Sequence, residues 1–314
     1  MLFKFIYYTI YCMPFFSKYK IKFISFIKSI YLKIQRILFK LKNFNSPTSL
    51  LLKDKYNPKA LSDKNSILVY CHHKAASTFV SKMLSSINNN DLVHIDLSGY
   101  LSTYLKNIDD FENHEDFFIT KETSLFLKKG HIYGPLRKPI NTEYINQFKS
   151  IYFIRDPRDS IISYYYSMAY SHPLPEKRHS KTYKRFLDHR ENLKKMNIND
   201  FASSIGKKFY KQVFSGFINQ INSSNANSLI IKYEDLRENT DSALRKIESF
   251  MDIRFSKEDI EIFTNEMIPN EKIRKMSHKR SGLSKQYIKE LDIKTIEFLN
   301  TEFRKELEFF KYET

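Results

Sequence analysis

Glycine is scarce in this chain, at six of 314 residues, and tryptophan is absent. There are two cysteines, Cys12 and Cys71. Two cysteines exclude a disulfide framework and cannot by themselves furnish a zinc site. They fit a reducing compartment or a protein that does without disulfides. No uncharged apolar run reaches the roughly 18 residues that a membrane-spanning helix needs, so no transmembrane span is expected. Acids are missing from residues 1–42, and the first is Asp54. Apolar residues are not lacking: at 42% they can build a real core, which excludes global disorder. The length suits one large domain or two small ones.

The formal net charge is +17. Most bases are Lys, and Lys, Asn, Ile, Phe and Tyr are abundant, as in AT-rich coding sequence. Part of the charge therefore carries no information about a partner. Its placement does. Residues 1–42 hold nine bases and no acid, so 17 − 9 leaves +8 for the rest. Lys22, Ser25, Ser29, Lys33, Arg36 and Lys40 recur at helical spacing, with Ile24, Ile27, Tyr31, Ile34, Leu38 and Leu41 opposite. That pattern predicts a basic amphipathic helix. Phe5–Ser17 is uncharged but short, contains Pro14, and lacks a small-residue cleavage site. A helix lying on an anionic membrane surface suits these features; a helix packed on the following domain is the alternative. The expected organisation is a basic N-terminal segment over 1–45, a linker over 46–63 with Pro47 and Pro58, and one domain over 64–314. The expected location is cytoplasmic and peripheral on a membrane.

After the linker, short apolar runs alternate with helical periodicity. Strands are expected at Ser66–Cys71, Asp116–Thr120, Ser150–Ile154 and Ser228–Tyr233. Helices are expected over Ala75–Ile87, from Pro157 to about Tyr170, over Asp200–Ile221, and from Asp241, Ser256 and Ile293. The long helix should turn Phe201, Ile205, Phe209, Val213, Phe217 and Ile221 to the core. Residues 171–195 read as an inserted basic loop. Strands without polar alternation, separated by helices, predict an α/β fold with a central parallel sheet flanked by helices. Ligands of such sheets bind at the carboxyl ends of the strands.

Two of those ends carry chemistry. Lys74-Ala75-Ala76-Ser77-Thr78 follows the first strand and opens a helix. A helix's first turn presents free N–H groups and the positive end of its dipole, Lys74 adds a point charge, and Ser77 and Thr78 add hydroxyls. The turn is a phosphate cradle by type, yet GxxxxGK[ST] is absent. Arg155-Asp156-Pro157-Arg158-Asp159 follows the middle strand: Asp156 is a good N-cap, Pro157 suits the first helical position, and Arg155 is fixed at the strand end. Arg155 offers a forked phosphate contact and Ser163 a hydroxyl.

Together these turns resemble the family of sulfotransferases that use 3′-phosphoadenosine 5′-phosphosulfate (PAPS). The family's PKSGTTW has its counterpart in His73 to Phe79, its RDPRDxxxS in Arg155 to Ser163, its YEDL in Tyr233-Glu234-Asp235-Leu236, and its RKG in Arg280-Ser281-Gly282. Ala75-Ala76 stands where the family often has Ser-Gly, Phe79 where it has Trp, and Ser281 where it has Lys. The resemblance spans about residues 64–314. It implies a P-loop-like sulfotransferase architecture, PAPS as sulfuryl donor and no metal. It implies that Lys74, Ala75, Ala76, Ser77 and Thr78 bind the phosphosulfate, with Lys74 also catalytic. Arg155, Ser163, Arg280, Ser281 and Gly282 would bind the remainder of the nucleotide. The acceptor base would be His131, expected at the end of a central strand, with Glu122 in reserve. His72 and His73 read as phosphate neighbours or filler. Partners would be PAPS and a glycan, lipid or small-molecule acceptor, without nucleic acid. A P-loop kinase or NTPase, and a non-enzymatic basic membrane-binding protein, are the competing readings.

Overall fold

The structure is a computed structural model that describes residues 62–87, 91–96, 126–140, 147–174, 180–223, 227–268 and 283–314. All of them belong to the unit Lys55–Thr314. The basic N-terminal helix, the linker over 46–61, the strand expected at Asp116–Thr120, Glu122 and the Arg280-Ser281-Gly282 turn lie outside the described residues.

Five strands form one sheet: β1 (Ile67–Cys71), β2 (Val93–Ile95), β3 (His131–Leu136), β4 (Lys149–Ile154) and β5 (Ser228–Lys232). Their order is β2-β3-β1-β4-β5 and every pairing is parallel. β1 is central and all five of its residues are buried. Leu68 and Tyr70 enter one core cluster, while Ile67, Val69 and Cys71 enter the other. A strand with helices on both faces has no solvent side, which is why its sequence is apolar without alternation.

On one face pack α1 (Ser77–Ser86), α7 (Thr240–Met251) and α8 (Lys257–Met267). On the other pack α2 (Pro157–Tyr166), α5 (Lys207–Ser223), α10 (Ile293–Glu302) and α11 (Arg304–Phe309). Short helices α4 (Ile198–Phe201), α6 (Tyr233–Glu238) and α9 (Tyr287–Glu290) connect them. The expected α/β architecture with a central parallel sheet is the one observed.

Three local readings change. The basic insertion is no loop throughout: Ser180–Lys195 forms helix α3. Its Leu193 is buried in the core and Arg190 donates to the Met168 carbonyl at 3.1 Å and to the His172 carbonyl, so one fully buried apolar anchor and two backbone contacts dock an otherwise polar helix. Strand β3 was obscured by Gly134-Pro135, residues that normally break a strand. A Cβ at Gly134 would lie 2.6 Å from the Val69 carbonyl oxygen, so this central strand needs glycine to approach β1.

The third change concerns the helix expected over Asp200–Ile221. A π-helical turn at Ala202–Gly206 joins α4 to α5. Such a turn inserts one residue and rotates all that follows. Ile205 is consequently 40% exposed and Phe209 only half-buried, while Tyr210 and Phe214, outside the expected stripe, are fully buried; Phe201, Val213 and Phe217 are in the core as expected. That rotation delivers Tyr210 to the end of β1, where its hydroxyl meets the His73 carbonyl.

Candidate functional site

β1 and β4 lie side by side, with Cys71 in register with Phe153. Their following turns therefore emerge together. His72 leaves β1 fully buried, and its Nε2 accepts a hydrogen bond from the Arg155 backbone N–H at 3.1 Å. Nε2 is thus the bare nitrogen, and Nδ1–H donates to the His73 carbonyl at 2.9 Å. Tyr210 O–H donates to the same carbonyl at 2.9 Å, and the Tyr210 and Phe214 rings pack on the His72 imidazole. His72 is accordingly the pin between the two turns, where the sequence suggested a neighbour or filler.

Burial, with the charges of Arg155 and Arg137 nearby, pushes the His72 pKa down to about 3. The unfolded chain, with a histidine pKa near 6.5, then holds more protons between those values. Stability is full above about pH 6.5 and falls as pH drops toward 3, by up to about 1.4 kcal/mol per unit. Thermal melts should show this fall in the wild type and a shallower one in His72→Asn. Equal slopes would remove His72 as the cause.

The cradle itself is tight. Lys74 has φ 72° and Ala76 φ 67°, ψ 31°, both left-handed. Ala76 is the N-cap of α1 and supplies no side-chain cap, so α1 starts at Ser77, two residues later than expected. Its first-turn N–H groups, from Ser77 onward, have no intrahelical partner by helix geometry. Ala75 is buried, Lys74 and Ser77 are half-buried, and Thr78 is exposed. An alanine held left-handed costs about 1–2 kcal/mol, and glycine's extra chain entropy offsets about 0.5–1 of that. Ala76→Gly should therefore stabilise the fold by about 0.5–1 kcal/mol, read as a raised Tm. A lowered Tm would contradict the strain.

The second turn is built around Asp156 and two arginines. Asp156 caps α2, accepting from the Arg158 N–H at 2.9 Å. Arg158 grips the same carboxylate with Nε at 3.0 Å and Nη2 at 2.7 Å. It also reaches Asn300 Oδ1 and the Glu313 carbonyl and stacks on Tyr287 at 4.1 Å. Arg158 is therefore a brace. Glu234, from the Tyr233-Glu234-Asp235-Leu236 motif, accepts from the Asp156 N–H at 3.2 Å and from Tyr312 O–H at 3.0 Å. Burial raises the pKa of both Glu234 and Asp159.

Arg155 is 4% exposed. Its Nη1 donates to the Lys74 carbonyl at 3.2 Å, and its Nη2 donates to the Leu283 carbonyl at 3.1 Å. Its guanidinium lies 4.5 Å from the Tyr233 ring centre, with Asp159 Oδ2 at 3.7 Å. One side chain thus joins the first turn, the second turn and the residue directly after Arg280-Ser281-Gly282. Three buried polar atoms of the second turn, Arg155 Nε, Asp159 Oδ2 and Ser160 Oγ, have no hydrogen-bond partner among the described residues, and Asp159 Oδ2 lies 3.7 Å from the Arg155 guanidinium. A buried donor left in that state is destabilising unless a ligand meets it, so the turn fits an anion. Ser163 lies half-buried further along α2.

His131 does not join this constellation. It opens β3, and Ile132 beside it is in register with Ile67 at the start of β1. It is fully buried, its N–H donates to Ser66 Oγ, and its Nδ1 lies 2.6 Å from the Lys129 carbonyl. This is the amino end of the sheet, whereas both turns sit at the carboxyl end. The carboxyl end of β3 carries Arg137 instead, whose Nη1 donates to the Cys71 carbonyl at 3.3 Å. Sequence reading missed Arg137, because the strand before it was not recognised. Among the described residues no group of three His, Cys, Asp or Glu side chains could hold a metal ion.

A parallel α/β sheet with two linked turns at adjacent strand ends, one basic and one arginine-bearing, defines a protein that receives a phosphate-rich ligand. The sulfotransferase domain family matches residues 64–311. The chain belongs to that family, the PAPS-dependent sulfotransferases, and is an enzyme of that class. No curated protein matches it. Solved structures similar in fold include a mouse sulfotransferase, SULT7A1, complexed with PAP, at 14% identity over 78% of this chain and 85% of that chain, TM-score 0.49. A retinol dehydratase in complex with retinol and PAP has 15% identity over 82% and 86%, TM-score 0.48. The sulfotransferase STF9 from Mycobacterium avium has 10% identity over 84% and 80%, TM-score 0.44.

Proposed function

We propose that this chain moves the sulfuryl group of PAPS to a hydroxyl or amine of a glycan, lipid or small-molecule acceptor. The observation that carries the reading is the single Arg155 side chain bonded to both the Lys74 and Leu283 carbonyls, which ties the first turn to the second and to the residue after Gly282 in the chain. Lys74, Ala75, Ala76, Ser77, Thr78 and the first N–H groups of α1 hold the phosphosulfate end. Arg155, Ser163, Arg280, Ser281 and Gly282 hold the 3′-phosphate, and Arg155 Nε is a donor suited to it.

PAPS supplies a sulfuryl group bound through a bridging oxygen, whose bond to sulfur breaks as the acceptor's oxygen or nitrogen bonds to it. Such transfers pass through a loose, in-line transition state, so the protein mainly positions groups and stabilises charge. Lys74 and the α1 N–H groups face the charge that grows on the leaving oxygen. His131 sits at the amino end of the sheet, which leaves Glu122 as the acceptor base in this reading.

Calorimetry tests the donor class. The wild-type chain should bind 3′,5′-adenosine bisphosphate (PAP) without metal, and at least tenfold more tightly than ATP with Mg²⁺. The reverse preference would favour the kinase or NTPase reading, and no binding of either would favour a non-enzymatic protein.

Residues 1–42, with nine bases and no acid, are proposed to rest on an anionic membrane surface. Among the described residues no helix is long and apolar enough to cross a membrane. The full chain should sediment with phosphatidylserine vesicles at low salt, and a chain lacking residues 1–42 should not. Equal sedimentation of the two would refute the assignment.

A further inference from the structure

The order β3-β1-β4 gives the site two sides. On the β4 side, Arg155 reaches the β1 turn and the donor nucleotide is assigned there. The β3 side of the same strand end is the side left for the acceptor. Leu136, the last residue of β3, is in register with Tyr70, so Arg137 emerges beside Cys71 and the cradle. Its Nη1 is fixed on the Cys71 carbonyl, it is half-buried, and Lys138 follows it.

The charge around the two arginines differs. Arg155 has Asp159 and Glu234 close by. Arg137 has no ion pair among the described residues, and its one hydrogen bond uses one of five N–H donors. The permanent charges of Arg137 and Lys74 both bear on neighbouring His73. His73 itself is pressed between the Tyr164 and Phe209 rings, and burial foremost holds its pKa well below the ordinary value. The β3 side of the cradle thus carries the fixed positive charge of Arg137 and Lys74, and Arg137 has no ion pair with a carboxylate among the described residues. Arginine keeps its proton at any working pH and offers a planar fork, so it cannot be the acceptor's base and is suited to hold an anion.

We propose that Arg137 is an acceptor-binding residue, and that the acceptor carries a carboxylate, phosphate or sulfate group near the hydroxyl or amine that is sulfated. This rests on the sulfuryl-transfer reading and names the class of its second substrate. Arg137 takes the acceptor's anion in a charge-assisted, forked contact, and the Cys71 carbonyl sets its guanidinium at the end of β1. The acceptor's nucleophile is then held next to Lys74. A neutral acceptor of the same shape leaves that guanidinium without its partner and binds less well.

The test uses the full chain saturated with PAP and two phenols that differ only in charge, 4-hydroxybenzoate and its neutral amide, titrated by ligand-observed NMR. The wild type should bind the carboxylate about tenfold or more tightly than the amide, the range for one charge-assisted contact. Arg137→Ala should take the two within about threefold of each other, and Arg137→Lys should keep part of the preference. PAP affinity in both variants reports that the donor side is folded. Wild-type protein that binds PAP but takes the two phenols equally, or takes neither, overturns the proposal alone. So does a preference that survives in Arg137→Ala. Wild-type protein that binds no PAP overturns the sulfuryl-transfer reading and this inference with it.

Discussion

Arg155→Ala should lower PAP affinity by a factor of about 100 or more, the largest effect expected of any single substitution in this chain. Two losses add. The 3′-phosphate loses a forked, permanently charged partner, worth about 1.5–3 kcal/mol per charge-assisted bond. The Lys74 and Leu283 carbonyls lose the side chain that joins them, so the cradle and Leu283 are no longer held together. The substitution also leaves Asp159, whose Oδ2 lies 3.7 Å from the guanidinium, without its cation. Some loss of stability is therefore expected, and Arg155→Lys serves as the second variant. Lysine keeps the charge but cannot span two carbonyls and a phosphate, so an intermediate loss of about tenfold is expected. Calorimetry with PAP, beside thermal melts, reads both. PAP affinity within threefold of wild type in Arg155→Ala would remove Arg155 from the donor site.

Lys74→Ala should act on turnover rather than on binding. A group aimed at the charge that develops on a leaving oxygen is worth about 10²–10³ in kcat. The first-turn N–H groups of α1 persist in the variant, because Ala at position 74 leaves the helix start unchanged. PAP affinity should therefore fall by less than about tenfold while PAP release from PAPS slows by about 100-fold or more. A mutation that weakened ground-state and transition-state binding equally would raise KM and leave kcat unchanged. That outcome would make Lys74 a binding residue only. Glu122→Gln measured alongside should also lower kcat without altering PAP affinity; unchanged turnover would exclude Glu122 as the base.

The structure explains why some of the site was legible from sequence and some was not. The turn from Arg155 to Asp159 was legible because its chemistry is local. Asp156 caps the helix two residues on, and Pro157 fits the first helical position; both rules act within one turn of chain. The cradle was legible for the same reason, as a buried strand followed by Lys, Ser and Thr at a helix start. Its geometry was not. Alanine at position 76 suggested a helical conformation, yet the chain there is left-handed, imposed by the strand on one side and α1 on the other. The sequence left Arg158 without a role, and in the fold it is closed onto Asp156, Asn300 and the Glu313 carbonyl. The last two of these lie more than a hundred residues away, beyond any local pattern.

His131 failed for a related reason. A histidine beside a strand is a sound candidate, but its value depends on which end of the strand it occupies. Gly134-Pro135 hid β3, so the strand's direction past His131 could not be read. Once β3 pairs with β1, the histidine falls at the amino end and Arg137 at the carboxyl end.

The sequence by itself determined the α/β class, the parallel sheet, the two turns that bear Lys74 and Arg155, and the family. These follow from apolar runs, helix caps and residue order, which need only neighbouring chain. Tertiary structure alone decided that His72 pins the two turns, that Arg155 ties Lys74 to Leu283, that a π turn brings Tyr210 to His73, and that Arg137 occupies the second side of the cradle. Each of those depends on strand order and on a rotation or register between elements far apart in sequence, and packing, not local propensity, sets them.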